Sequence, residues 1–353
     1  DAVVKLTSEG YHHTRKSFFL RIENKNILLE AGIKFKDLQQ ALKTKARKKI
    51  DAIFVSHAHK DHTKNLIKLL EDLERDPVHE VPPVFISKMT LDFFLTKMGG
   101  VLNGPGRIRL IENAVFVVNG DTFQFESQNG NIQFFTAGHM PGALMLFANI
   151  NGFKFLYTGD YSYYDYSPIP GINQIIKQIP SPIDFLLIDC QFAHEEYVSP
   201  EEQINFLLER IEEKAKHNNK VLIGADPTSV AIIIFLEIHK KFIELREKKG
   251  FVNRPDIYLN QRVQNFIEVL LSRKEDLHPS LEGRIEKEFN PFNSAKLKWI
   301  EPGNMNHINV EINNQNDRGA IVIYDPVNFK VTSGNEVYQG SDLRMARFFR
   351  MIG

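Results

Sequence analysis

Short apolar runs and amphipathic stretches alternate along the first half of the chain and predict a mixed α/β domain. Apolar segments predict strands at 3–6, 17–22, 26–30, 50–55 and 84–86. Apolar residues at helical spacing predict helices over 36–46, 63–73 and 89–98. Asn-Gly pairs predict two hairpins, one joining 116–118 to 123–126 and one joining 143–150 to 153–157.

After about residue 200 the pattern changes to strands that alternate with longer helices. Strands are predicted at 220–224, 256–259 and 321–324, and helices at 201–216, 229–246 and 263–271. Such alternation is typical of a parallel α/β unit. The range 337–352 includes a predicted basic helix with three arginines on one face, which either contact phosphate or face solvent: Arg344, Arg347 and Arg350.

Composition narrows the class of protein without naming a substrate. The 353 residues suit two domains. The 44 basic and 44 acidic side chains balance, so there is no global charge that favours nucleic acid or a membrane surface, although a local basic groove stays compatible. Cys190 is the only cysteine, which excludes an internal disulfide and favours an intracellular compartment, cytoplasmic or nuclear. No apolar run approaches the roughly 20 residues that span a bilayer, so no membrane partner is expected.

The strongest chemical signal follows the strand predicted at 50–55. His57 and His59 alternate, so an extended backbone directs both side chains to the same side. Asp61 and His62 come where the chain enters a helix, and that turn can direct them to the same point. Imidazoles combined with a carboxylate suit zinc or a similar first-row metal.

Further ligand-type side chains stand at other predicted strand ends. His139 lies in a glycine-flanked segment after a strand, and Asp160 follows a strand and a glycine. Asp189 closes the strand predicted at 184–188, and Glu30 closes the one at 26–30. We expect these strand ends to converge on one metal centre, with Glu30 supporting the ligands.

Three segments resemble the ligand motifs of the metallo-β-lactamase fold: residues 57–62 (HAHKDH), 137–143 (AGHMPGA) and 157–161 (YTGDY). The surrounding sequence is most similar to the β-CASP nucleases, which include ribonuclease J, the pre-mRNA cleavage endonuclease and the Artemis-type DNA nucleases. The resemblance implies a metallo-β-lactamase αβ/βα sandwich over residues 1–198, without the C-terminal segment that returns to it. It also implies an inserted α/β domain of β-CASP type over residues 199–353.

The resemblance also implies roles for individual residues. Six residues would bind two Zn²⁺ ions, with His57, His59 and His139 at one ion, Asp61 and His62 at the other, and Asp160 bridging both. Asp61 and Asp189 would be the catalytic carboxylates, and Asp189 would assist proton transfer together with a late histidine. His194 stands near a position where many members carry a histidine.

The sequence departs from the family pattern at several places, one of which concerns the second metal site. No histidine follows His307, and none stands in a matching motif, whereas the family brings two late histidines, one of them a ligand of the second metal. We therefore expect either a truncated chain, which opens at Asp1 rather than Met, or a divergent member with an incomplete second site. Residues 190–193 and 226–229 also differ from the family's usual wording.

The expected function is hydrolysis of phosphodiester bonds by a hydroxide that two metal ions activate, with RNA favoured over DNA as the substrate. Two alternatives stay open. The same fold serves hydrolases of thioesters, lactams and lactones, although the inserted domain argues against them. The chain could also be a weak or inactive scaffold subunit of an RNA-processing complex, and a protein complex or a homodimer is compatible with either function.

Overall fold

The computed structural model describes residues 5–8, 16–22, 25–45, 49–75, 80–98, 104–124, 130–165, 169–190, 199–217, 220–249, 255–273, 291–293, 297–300, 320–324, 330–333 and 336–339. The chain divides into two compact units. Unit one comprises Asp1–Asp165 and Gly171–Asp189, and unit two comprises Tyr166–Pro170 and Cys190–Gly353. The predicted division between residues 198 and 199 stays a prediction, because residues 191–198 lie outside the described part.

The first sheet of unit one contains six strands that neighbour one another in chain order. They are β1 (Lys5–Ser8), β2 (Phe18–Ile22), β3 (Lys25–Leu29), β4 (Ala52–Phe54), β5 (Val84–Ile86) and β6 (Ala114–Phe116). Strands β1 to β3 are antiparallel, whereas β3 to β6 run parallel. The connections carry α1 (Phe35–Lys45), α2 (Lys60–Thr63), α3 (Leu66–Glu74), α4 (Lys88–Met98) and α5 (Pro105–Asn113). The parallel part of the sheet therefore directs several strand ends to one edge.

The second sheet of unit one has the order β11-β10-β9-β8-β7. Its strands are β7 (Thr122–Gln124), β8 (Gly130–Thr136), β9 (Leu144–Ile150), β10 (Phe153–Tyr157) and β11 (Phe185–Leu187). Strands β7 to β10 are antiparallel, and β11 is parallel to β10. Asn151 and Gly152 both have positive φ, 50° and 86°, in the turn between β9 and β10. The hairpin predicted there is confirmed.

The hairpin predicted about Asn119 and Gly120 is wrong. A turn does form at these residues, but β6 before it pairs with β5 and β7 after it pairs with β8. The backbone N–H of Gly120 donates to Phe134 O at 2.8 Å, which ties the turn to the second sheet. The turn therefore carries the chain from one sheet to the other, because β6 pairs with β5 and β7 pairs with β8.

The two sheets of unit one share an apolar core. Phe54 of β4 is fully buried, with its ring centroid 5.6 Å from that of Phe134 and 6.3 Å from that of Tyr157. Both sheets contribute further buried residues to this cluster, among them Leu20, Ile27, Leu29, Ile132, Leu146 and Phe155. Leu28 is also buried although it points to the opposite face of the first sheet, as expected where helices cover that face. The mixed α/β sandwich predicted from the sequence is confirmed.

The helix predicted over residues 63–73 is split into α2 and α3. Asn65 lies at the break, where its backbone N–H donates to Ala31 O and its side chain donates to Ile33 O. The backbone N–H of Ala31 in turn donates to His62 O at 2.7 Å. These bonds fasten the break to the segment after β3 and hold Asp61 and His62 in one short helical turn.

Unit two contains a four-stranded parallel sheet with the order β12-β15-β13-β14. Its elements are α6 (Pro200–Lys216), β12 (Lys220–Gly224), α7 (Val230–Lys249), β13 (Asp256–Asn260), α8 (Gln261–Ser272), β14 (Leu297–Ile300) and β15 (Ala320–Tyr324). The parallel α/β unit predicted after residue 200 is confirmed, although β14 was not predicted.

A second departure in unit two concerns its last described elements. Strands β16 (Lys330–Ser333) and β17 (Glu336–Gln339) form a hairpin. Residues 337–339, at the start of the range in which a basic helix is predicted, pair in that hairpin, and the rest of that range lies outside the described residues. Its three arginines lie outside the described residues. Among the residues that the structure describes, none of the helices has the length and apolar character needed to cross a bilayer.

Candidate metal centre

Side chains at the ends of strands from both sheets meet at one edge of the sandwich. His57 follows β4 in the first sheet, whereas His139 follows β8 and Asp160 follows β10 in the second. The backbone N–H of Leu144 donates to Ser56 O at 3.0 Å, which joins the two sheets beside these strand ends. The core and this bond thereby bring together ligand-type side chains that are up to 103 residues apart in sequence (160 minus 57).

The first ligand cluster consists of His57, His59, His139 and Asp160, whose ligand atoms all lie within 4.8 Å of one another. His59 Nδ1 is 3.1 Å from His57 Nε2 and 2.9 Å from His139 Nε2. Burial lowers the pKa of His57 well below its ordinary value, and the neighbouring histidines lower it further. Because neutral imidazole is the form that binds metal, the environment of His57 suits a ligand.

The second ligand cluster consists of Asp61, His62 and Asp160. His62 Nε2 is 3.3 Å from Asp160 Oδ1 and 3.6 Å from Asp61 Oδ2, and it makes no hydrogen bond of good geometry although it is buried. A buried polar atom without a hydrogen bond is costly unless another partner satisfies it. A metal ion between His62 and the carboxylates would supply that partner, so these residues fit the ion that the sequence predicts.

Asp160 lies between the two clusters. Its Oδ1 faces His62, whereas its Oδ2 is 3.8 Å from His57 Nε2 and 3.9 Å from His139 Nε2. Burial opposes its charge, but the close contact with His62 and the neighbouring histidines His57 and His139 hold the pKa of Asp160 well below its usual range. The structure thus brings together all six predicted ligands, and their binding of metal stays a prediction.

Glu30 supports the second cluster from a fully buried position. Its carboxylate accepts the backbone N–H of Ser56 at 3.2 Å and the hydroxyl of Tyr157 at 3.0 Å, and it lies 3.2 Å from His62 Nδ1. Glu30 has a φ of 64°, an uncommon conformation for a residue other than glycine, which suggests a functional constraint. By occupying the Nδ1 side of His62, Glu30 leaves Nε2 directed at Asp160 and Asp61.

The pKa of His62 predicts how the metal-free chain responds to pH. Burial opposes protonation, but Glu30 and Asp160 outweigh it and raise the pKa of His62 to about 10. The stabilisation from the charged imidazole is complete below about pH 6.5, the unfolded value, and is lost as the pH rises through about 10. For chelator-treated protein, the free energy of unfolding should therefore fall by at most about 1.4 kcal/mol per pH unit between pH 6.5 and 9, and the melting temperature should fall with it.

Thermal unfolding followed by circular dichroism checks this prediction, with Glu30→Gln as the comparison variant. Lys16 and Tyr157 have ordinary pKa values of 10.5 and 10.0 that are raised further here, so they do not titrate below pH 9. Removing the Glu30 charge should flatten the slope. A wild-type melting temperature that stays constant or rises over this range contradicts the assigned environment of His62.

Asp189 lies beside the second cluster, after β11. Its backbone N–H donates to Thr158 Oγ1 at 3.3 Å, and its Oδ1 is 3.6 Å from Lys16 Nζ. The ammonium of Lys16 also bonds to Asp160 Oδ1. Burial lowers the pKa of Lys16, but the carboxylates of Asp160, Asp189 and Asp61 outweigh it and raise that pKa above its ordinary value.

Sequence reasoning missed Lys16 and gave Tyr157 no role of its own. One signal for Lys16 was available in the sequence, because Lys16 lies directly before the strand predicted at 17–22. When that strand pairs with the next one in antiparallel fashion, its start lies beside the end of its partner.

His194, which was carried over from the family, lies outside the described residues. Residues 226–229 differ from the family pattern and form the turn before α7. In this turn Asp226 Oδ1 accepts the backbone N–H of Thr228 at 2.9 Å.

Comparisons with known proteins agree with this geometry. A family model described as a beta-lactamase superfamily domain matches residues 25–219. The chain is 25% identical over 264 residues to an RNase J-like protein of Methanocaldococcus jannaschii, covering 70% of this chain and 56% of the relative. It is 26% identical over 184 residues to Ribonuclease TTHA0252 of Thermus thermophilus, covering 50% of this chain and 40% of the relative. It is 22% identical over 314 residues to Endoribonuclease YSH1 of Candida glabrata, covering 81% of this chain and 39% of the relative.

The matched segments therefore span from 39% to 56% of the lengths of these relatives. A crystal structure of a protein of unknown function from Enterococcus faecalis V583 is similar over 94% of this chain and 77% of that chain, with a TM-score of 0.55 and 14% identity. At that identity the similarity supports the fold alone.

Proposed function

Because the chain belongs to the beta-lactamase superfamily, we propose that it is a metal-dependent nuclease that hydrolyses phosphodiester bonds of RNA. The observation that carries the proposal is the pair of ligand clusters that share Asp160. The names of the relatives support the substrate class, since three of them are called ribonucleases or endoribonucleases. The predicted activation of a hydroxide by two metal ions stays a prediction.

The residues that would hold the metal are those of the two clusters. His57, His59 and His139 would bind one ion, Asp61 and His62 a second, and Asp160 would contribute an oxygen to each. When bound, a divalent ion supplies a Lewis acid for phosphate oxygens and lowers the pKa of coordinated water. Zinc agrees with this donor set of imidazoles and carboxylates.

The chain's own carboxylates would orient the ligands and handle the proton. Glu30 holds His62 by the Nδ1 nitrogen, so that its Nε2 stays directed at the clusters. Asp189 is partly exposed and is held at the cluster edge by its backbone bond to Thr158. We assign to its carboxylate the relay of a proton, accepted from the attacking water and then released to the leaving oxygen, a role that needs a group within reach of both the site and solvent.

Cleavage of labelled oligonucleotides tests the proposed function. Purified protein is stripped with a chelator, reloaded with Zn²⁺ or Mn²⁺, and incubated with single-stranded RNA, single-stranded DNA and a panel of thioesters. We expect RNA cleavage that is lost after chelation and restored by metal. Turnover of thioesters without cleavage of nucleic acid would instead indicate another hydrolase of the superfamily. Metal binding without any turnover would favour the scaffold function.

A further inference from the structure

The ammonium group of Lys16 lies at the second ligand cluster, where the sequence predicts a metal ion. It bonds to Asp160 Oδ1, the oxygen that lies 3.3 Å from His62 Nε2. It is also 3.6 Å from Asp189 Oδ1. The ammonium therefore contacts an oxygen that a second metal ion would need.

The position of Lys16 is determined by backbone bonds around the site. Its backbone N–H donates to Asp61 O at 2.9 Å, and its carbonyl accepts the N–H of Gly32 at 2.9 Å. Its side chain is only 20% exposed, whereas a lysine without a partner usually extends into water and keeps its rotamer freedom. The backbone bond between Lys16 and Asp61 therefore holds both residues in place, and the ammonium of Lys16 lies beside Asp160.

The charges around Lys16 explain why a cation is held there. The carboxylates of Asp160, Asp189 and Asp61 all favour the charged ammonium. A divalent ion entering between Asp61, His62 and Asp160 would meet this positive charge at short range, in a partly buried site where screening by water is weak. It would also compete with the ammonium for Asp160 Oδ1.

We propose that Lys16 is an internal cation that competes with metal for the second cluster, so that the chain binds one ion tightly at the first cluster and a second ion only weakly. The inference rests on the assignment of both clusters as metal sites in the proposed function. It adds that Lys16, a residue within the described part of the chain, lowers the affinity of the second cluster for metal.

Zinc stoichiometry tests the inference without any activity assay. Wild-type protein and Lys16→Met are equilibrated with Zn²⁺, passed through a desalting column, and measured by elemental analysis and by competition with a chromogenic chelator. We expect wild type to retain about one zinc ion per chain, with the ion at a centre of imidazoles and carboxylates. Lys16→Met keeps the apolar stem but removes the charge, and should bind a second ion about tenfold more tightly or better.

Lys60→Met is the matched control, because Lys60 is an exposed lysine next to Asp61 and should leave the stoichiometry unchanged. Lys16→Arg keeps the charge and should behave like wild type. Two tightly bound zinc ions in the wild type would overturn the inference, even if Lys16→Met does not fold. An unchanged stoichiometry in folded Lys16→Met would overturn it as well. Failure of the wild type to bind any metal contradicts the proposed function, whereas one tight ion without RNA cleavage contradicts only the proposed activity.

Discussion

Replacing His59 and Asp61 together with alanine should remove the bound metal and reduce RNA cleavage by about 10³-fold or more. The double change takes one ligand from each cluster, and metal charge stabilisation contributes several kcal/mol to the transition state of such reactions. Neither side chain belongs to the apolar core, and the side chain of Asp61 is 32% exposed. The variant should therefore fold, and its metal content and cleavage rate can be measured on intact protein.

A matched control removes the same two residue types outside the clusters. His217 is exposed near the end of α6, and Asp37 lies in the first turn of α1. The double variant His217→Ala and Asp37→Ala should retain metal and cleave RNA at the wild-type rate. If the His59 and Asp61 variant cuts RNA as fast as wild type, the metal centre is not the catalytic site.

Replacing Gly32 with alanine should destabilise unit one by about 3 kcal/mol or more and displace Asp61 from the second cluster. A Cβ atom at Gly32 would lie 1.4 Å from Asp61 O and 2.9 Å from Lys16 O, so two backbone segments would have to move. Neither carbonyl can rotate away without breaking its bond, since Asp61 O accepts from Lys16 N and Lys16 O accepts from Gly32 N. For a unit of this size, the expected loss lowers the melting temperature by about 6 °C or more.

Gly104→Ala is the matched control for this glycine. It precedes α5 with a φ of −86°, and a Cβ there would meet only Glu71 Oε1, at the ordinary distance of 3.7 Å. We expect a change of about 1 kcal/mol or less, which reflects the weaker N-cap preference of alanine. Melting curves and zinc content of both variants decide the matter. A Gly32→Ala protein with the wild-type melting temperature would contradict the close packing of this loop on Asp61.

Much of the candidate site could be predicted because its residues follow features that are local in sequence. The residues from His57 to His62 are contiguous, and the apolar run of β4 before them shows where the strand ends. His139 and Asp160 each follow a strand and a glycine-containing turn, so the same reasoning found them one at a time. The resemblance to a known family then assigned the six ligands to two ions.

Other features depend on which strands pair, and the local pattern of apolar and polar residues does not determine strand pairing. The Asn119–Gly120 turn was predicted correctly as a turn, but its flanking strands belong to different sheets. The break between α2 and α3 depends on bonds from Asn65 to Ala31 and Ile33, which lie more than 30 residues earlier in the chain.

The sequence by itself determined the strand ends, their ligand-type side chains and the parallel α/β character of unit two, because apolar periodicity and turn residues act over a few positions. Only the tertiary structure decided that Glu30 lies behind His62 and that Lys16 lies against Asp160. Both contacts join residues that are distant in sequence, and their charges become important only because the packed sheets bury them together. The histidine cluster thus predicts the chemistry, whereas the folded core decides which charges surround each ligand cluster.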